Sequence, residues 1–144
     1  MLSSDRRIPI SENLFLEALN YYYRSDLVQA IITANTSLEV FVMDDMINRY
    51  IKTGKSKKEA IDLIKRLYKK KFESRFKRYY FNTLDVSSHP IVRKVSAVRE
   101  TRKQVVHPVI QIPTPDEAMK VLLDVQEIKS WIELKGSKVP SASP

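Results

Sequence analysis

Apolar residues in this chain recur at helical intervals, in blocks that carry their own start and stop signals. The last block shows it best. Thr114-Pro115-Asp116-Glu117 combines a Thr cap, a Pro at the first helical position and a Glu that can reach back to the cap. Ala118, Val121, Leu122, Val125, Ile128 and Ile132 then form one stripe. An opening block from Ser11 to Tyr23 places Leu14, Phe15, Ala18, Leu19 and Tyr22 at the same spacing. Ser25 offers the cap of a second block that reaches about Ile51, and Gly54 stops it. Ser56-Lys57-Lys58-Glu59 is a capping box that opens a third block, running to about Tyr80. After a break from Asn82 to Pro90, another helix spans Ile91 to His107, where Pro108 ends it. Strand-like alternation and internal repeats are absent. The pattern predicts an all-α bundle of four to five helices in one domain, residues 1–135, with a flexible Ser/Pro/Lys tail over 136–144.

Composition limits the functions open to such a bundle. The two glycines, Gly54 and Gly136, leave no Gly-rich phosphate loop. Cysteine is absent, which removes disulfides and thiolate metal sites and fits a reducing cytoplasm. Neither a signal peptide nor a membrane span is expected, since the first ten residues carry Asp5, Arg6, Arg7 and Pro9 and no long apolar run follows. The net charge of +8 is concentrated: Lys52 to Arg78 holds 12 basic and 3 acidic residues. Such a field attracts nucleic acid, an anionic surface or an acidic protein, and it also suits a plain solvated helix face.

Helical angles expose polar residues in apolar company. In the second block Leu27, Ile31, Ala34, Leu38, Phe41 and Val42 share a side, widened by Val28, Ile32, Met46 and Tyr50. Gln29, Thr33, Thr36, Ser37 and Asp44 fill the opposite face, but Asn35 and Glu39 fall inside the apolar arc. A carboxylate there is costly unless paired. In the helix ending at His107, Ile91, Val92, Val95, Val98, Val105 and Val106 form the stripe, with Arg102 in its middle and Arg99 at its edge. Glu39 and Arg102 are therefore expected to pair across a partly buried pocket, or to form an ordinary interior salt bridge.

The run Val98-Arg99-Glu100-Thr101-Arg102-Lys103-Gln104-Val105-Val106-His107-Pro108 resembles the signature of the HEPN superfamily, an Arg followed by four residues and a His. Leu38-Glu39 in a long second helix and the Thr/Pro/Asp-opened last helix are similar to the family's pattern, so the resemblance spans about residues 12–134. It implies a helical bundle that dimerises. It also implies metal-independent cleavage of RNA in a cleft built by Arg102 and His107 of both copies, with Asn35, Glu39, Arg99 and Lys103 in support. Lys103 stands where a small polar residue such as Asn is common, and offers a phosphate contact. RNA carries its own nucleophile, the 2′-hydroxyl. An imidazole can move the protons and a guanidinium can hold the phosphate. No cofactor is expected, and two histidines without cysteine leave only carboxylates for a metal.

The expected partners are RNA, a second copy of the chain and a cognate inhibitor protein of the antitoxin kind, with no membrane. Lys69, Lys70, Lys71, Arg75 and Arg78 are the candidate RNA-binding residues. Rival readings are an inactive HEPN dimer that binds RNA, nucleotides or protein, and a basic helical adaptor. Phe72, Phe76 and Tyr80, spaced by four with Tyr68, read as core rather than as stacking platforms. His89 and the pair Asp44-Asp45 read as surface residues.

Overall fold

A computed structural model describes residues 8–67, 71–107 and 112–138. Among these residues there are six helices and no strand: α1 (Ile10–Tyr23), α2 (Leu27–Lys52), α3 (Lys57–Leu67), α4 (Phe72–Phe81), α5 (Pro90–Val106) and α6 (Pro115–Lys138). The all-α bundle stands, with one helix more than the four to five expected, because the third block divides. Lys71 is extended (φ −57°, ψ 156°) and opens α4. The last helix continues through Gly136 to Lys138. Lys69, Lys70 and Tyr68 lie outside the described residues, as does the chain beyond 138. No described helix is long and apolar enough to cross a membrane.

The punctuation in the sequence acts as expected at three ends. Ser56 and Glu59 exchange bonds, Ser56 N donating to Glu59 Oε1 (2.8 Å) and Glu59 N to Ser56 Oγ (3.1 Å). Thr114 and Glu117 do the same at 2.8 and 3.1 Å. Gly54 takes φ +102°, and its N–H donates to Ile51 O after the end of α2. The α1–α2 junction departs from expectation. Ser25 sits in the left-handed region (φ 62°), so it finishes the turn out of α1 instead of capping α2. Asp26 is the cap and accepts from Gln29 N.

Helix α2 is the axis of the molecule and packs against all five others. Its Ile31, Ala34, Leu38, Val42 and Met46 are buried, and so are Thr33, Asn35 and Ser37. Thr33 and Ser37, two of the five residues expected on the polar face, are thus covered, and Ser37 Oγ bonds Ser11 O of α1. Every residue of the α6 stripe is buried. In α5, Ile91, Val92, Val95, Val98 and Val105 are buried, whereas Val106 is 45% exposed where the helix leaves the core. Phe72, Phe76 and Tyr80 are core residues, with Phe76 beside Trp131 (6.2 Å between ring centres).

Candidate functional site

The polar residues of the apolar arcs do meet, with one change of partner. Arg99, not Arg102, reaches across from α5 to α2. Its Nη1 donates to Glu39 Oε2 at 2.5 Å and to Asn35 Oδ1 at 3.1 Å. Its guanidinium lies 4.9 Å over the Phe72 ring. The expected Glu39–Arg102 pair does not form. Positions 99 and 102 differ by about 60° around a helix and about 4.5 Å along it. Arg99 stands level with Glu39, and Arg102 lies one turn further on. Arg102 is partly buried, and its Nε is enclosed without a hydrogen bond. Asn35 Nδ2 is likewise enclosed and unbonded.

The far end of the motif is open. His107 follows the last residue of α5 in an extended conformation (φ −75°, ψ 147°) and is exposed. This is the backbone that a following proline imposes. Lys103 is exposed as well. Val106, next to His107, is 45% exposed. Arg102 and His107 thus stand at the closed and open ends of one helical turn and a half.

Beside Arg99, and lined by neither Arg102 nor His107, runs a cleft of about 480 Å³ between α2, α4 and α5. Glu39, Met43, Asp44, Phe72, Arg75 and Arg99 line it, with Val40. One candidate RNA-binding residue, Arg75, therefore joins two of the supporting residues in one place. Lys71, just before α4, and Arg78 on it are exposed and add charge nearby in sequence. No three His, Asp or Glu side chains among the described residues are grouped so as to hold a metal ion.

No family model, no curated protein and no solved structure matches this chain.

Three polar arrangements escaped the sequence reading. Asp45 is not a solvated acid: its Oδ2 accepts from Tyr80 Oη and from Arg49 Nε, both at 2.6 Å. Arg49 also donates to Ile132 O at 3.1 Å, tying α2, α4 and α6 together. His89 is the cap of α5, its Nδ1 accepting from Ile91 N at 3.1 Å, with Phe81 and Trp131 against its ring. Lys129, 7% exposed, donates to Ser37 Oγ at 2.7 Å and faces the rings of Phe15 and Phe41. Ser37 in turn donates to Ser11 O at 2.8 Å. Burial holds the Lys129 ammonium down to about 8, against the attraction of Glu12 and Glu133. The available signal was the +4 spacing that ties Asp45 to Arg49 and sets polar Ser37 and Thr33 one turn apart on α2.

Proposed function

We propose that this protein is a metal-independent endoribonuclease of the HEPN type, acting on RNA at a cleft shared by two copies, with Arg102 and His107 as the reacting side chains. The observation that carries the reading is the unbonded, enclosed Nε of Arg102 at the head of a motif whose last member, His107, is exposed. With Nε enclosed, only the two terminal nitrogens of this partly buried guanidinium can meet a ligand from outside, and no described residue bonds them. Phosphate is the ligand whose geometry it fits best.

The reaction needs two proton transfers and one charge stabiliser. One imidazole takes the proton from the 2′-hydroxyl, whose oxygen attacks the adjacent phosphorus. The bond to the 5′-oxygen breaks, and that oxygen receives a proton from a second, protonated imidazole. The products are a 2′,3′-cyclic phosphate and a 5′-hydroxyl. Arg102 holds the non-bridging oxygens as charge builds on them. About 140° separates positions 102 and 107 around a helix, so one chain aims the two groups in different directions. A two-fold pair supplies two His and two Arg to one cleft. Exposed Val106 gives that pair apolar surface beside the motif. Exposed Lys71, Lys103 and Arg78 give it affinity for the RNA backbone.

The test is incubation of purified protein with mixed RNA, with and without a chelator. The reading expects cleavage in both, cyclic-phosphate or 3′-phosphate ends, and loss of cleavage in His107→Ala with its helical circular dichroism unchanged. Intact RNA, or dependence on a divalent ion, refutes it. A second reading, an inactive RNA-binding dimer, is favoured by Lys103 at the position after the motif arginine. It expects binding without cleavage.

A further inference from the structure

The cleft between α2, α4 and α5 has a chemistry that the phosphate-cleaving motif does not explain. Its charged lining is balanced, Glu39 and Asp44 against Arg75 and Arg99, over an apolar floor of Val40, Met43 and Phe72. Two carboxylates make a poor cradle for a phosphate, because each repels it. Donors and acceptors held together beside apolar side chains suit the edge of a nucleobase. Glu39 is the discriminating group. Only its Oε2 is used internally, by Arg99, and its side chain remains 40% exposed. A carboxylate offers about four lone-pair sites, so Oε1 and one further site stay available as acceptors.

We propose that this cleft is a base-reading subsite that holds guanine of a single-stranded RNA, with Glu39 accepting from the N1–H and N2–H groups of its Watson–Crick edge. Guanine is the base that presents two adjacent donors there. Uracil presents one donor between two carbonyls, which the carboxylate repels. Arg99, already layered 4.9 Å over Phe72, offers its guanidinium as a platform on which an unstacked base rests. Arg99 lies one turn of α5 before Arg102, so a base held here belongs to a nucleotide next to the phosphate that Arg102 grips. The subsite rests on the RNA-binding reading above and gives it a preferred nucleotide.

Binding of uncleavable 2′-O-methyl octanucleotides separates the two ideas, read by fluorescence anisotropy on the full chain. The probes are a uridine octamer, the same octamer with one central guanosine, and one with inosine in that place. Wild type is expected to bind the guanosine probe about tenfold tighter than the uridine probe, as one good bidentate contact gives. Inosine, lacking the N2 amino group, falls between them. Glu39→Gln is expected to erase the preference by raising affinity for the uridine probe toward that for the guanosine probe, because the repulsion of uracil goes with the charge, and Val40→Trp, which fills the cleft, to erase it by weakening the guanosine probe. Equal binding of all three probes by wild type, or a preference that survives in Glu39→Gln, overturns the subsite and leaves RNA binding standing. Failure of every probe to bind overturns the RNA reading itself and the subsite with it.

Discussion

Arg102 is the residue at which stability and the proposed function part. An enclosed Nε without a partner costs about 1–3 kcal/mol relative to a satisfied or apolar replacement. Arg102→Met is therefore expected to leave stability unchanged or raise it by about 1 kcal/mol, while RNA cleavage disappears. Urea denaturation and the RNA assay on the same preparation check both halves. A marked loss of stability means that Arg102 holds the fold instead. The neighbouring Arg99–Glu39 pair is worth only about 1–2 kcal/mol, since Glu39 is 40% exposed and solvent screens it. The anomaly at positions 35, 39, 99 and 102 was legible in the sequence as polar residues on apolar arcs. Which arginine took Glu39 was not, because two positions only about 60° apart on one helix differ in reach by less than a side chain's length.

Lys129 gives a second test at this scale. Burial lowers its pKa to about 8 in the folded chain, from the ordinary 10.5, so between those values the unfolded chain binds the extra proton. Stability accordingly rises with pH from about 8, by up to about 1 kcal/mol per pH unit. The gain is lost again as pH falls back through about 8. Tyr80 opposes it at the upper end: burial, with Asp45 beside it, raises its hydroxyl well above 10.0, so the unfolded chain loses that proton first and stability falls above pH 10. Denaturation midpoints at pH 7.5, 8.5 and 9.5 are expected to climb in the wild type and stay flat in Lys129→Met. A flat wild-type profile would mean that Lys129 is solvated.

At the scale of the element, the caps and stripes were readable and the α3–α4 break was not read. It could have been. Ala60, Ile64, Tyr68, Phe72, Phe76 and Tyr80 are spaced by four throughout. Each such step advances about 40° around a straight helix, so five steps carry the stripe about 200° from where it began. One straight helix would turn Tyr80 away from the side on which Ala60 is buried. Separate axes let both ends face the core, where Ala60, Ile64, Phe72, Phe76 and Tyr80 are all buried. The cap at Asp26 was missed for a different reason. Ser and Asp cap equally well, and the choice fell to the left-handed turn at Ser25. Among the described residues α3 packs only on α2, which makes it the natural unit for local opening. Ser56→Ala removes half of its capping box and is expected to cost about 1 kcal/mol. Amide hydrogen exchange should place that loss within α3, with α2 and α6 protected as before. Uniformly faster exchange across the molecule would show that α3 opens only with the whole.

At the scale of the whole molecule, two of the polar sites on α2 lie on different sides: the Glu39–Asn35–Arg99 cluster toward α5, and Ser37–Lys129 toward α6. The first lies beside the motif, the cleft and the basic residues of α4. The second is closed, and its role is to seat α1 and α6 on α2. The sequence made the bundle visible because caps and spacing are local. It left the layout of the site open, because that depends on how far one helix slides along another. The reading of function turns on one claim, that two copies share a single cleft. The most direct measurement co-purifies differently tagged wild-type and Arg102→Ala/His107→Ala chains and assays the mixed dimer on RNA. The double variant alone is expected to be inactive. The mixed dimer keeps only one of the two imidazoles that the reaction needs, so a shared cleft predicts that its cleavage falls nearly to that of the double variant. Half of wild-type cleavage, the output of one independent site, would contradict a shared site.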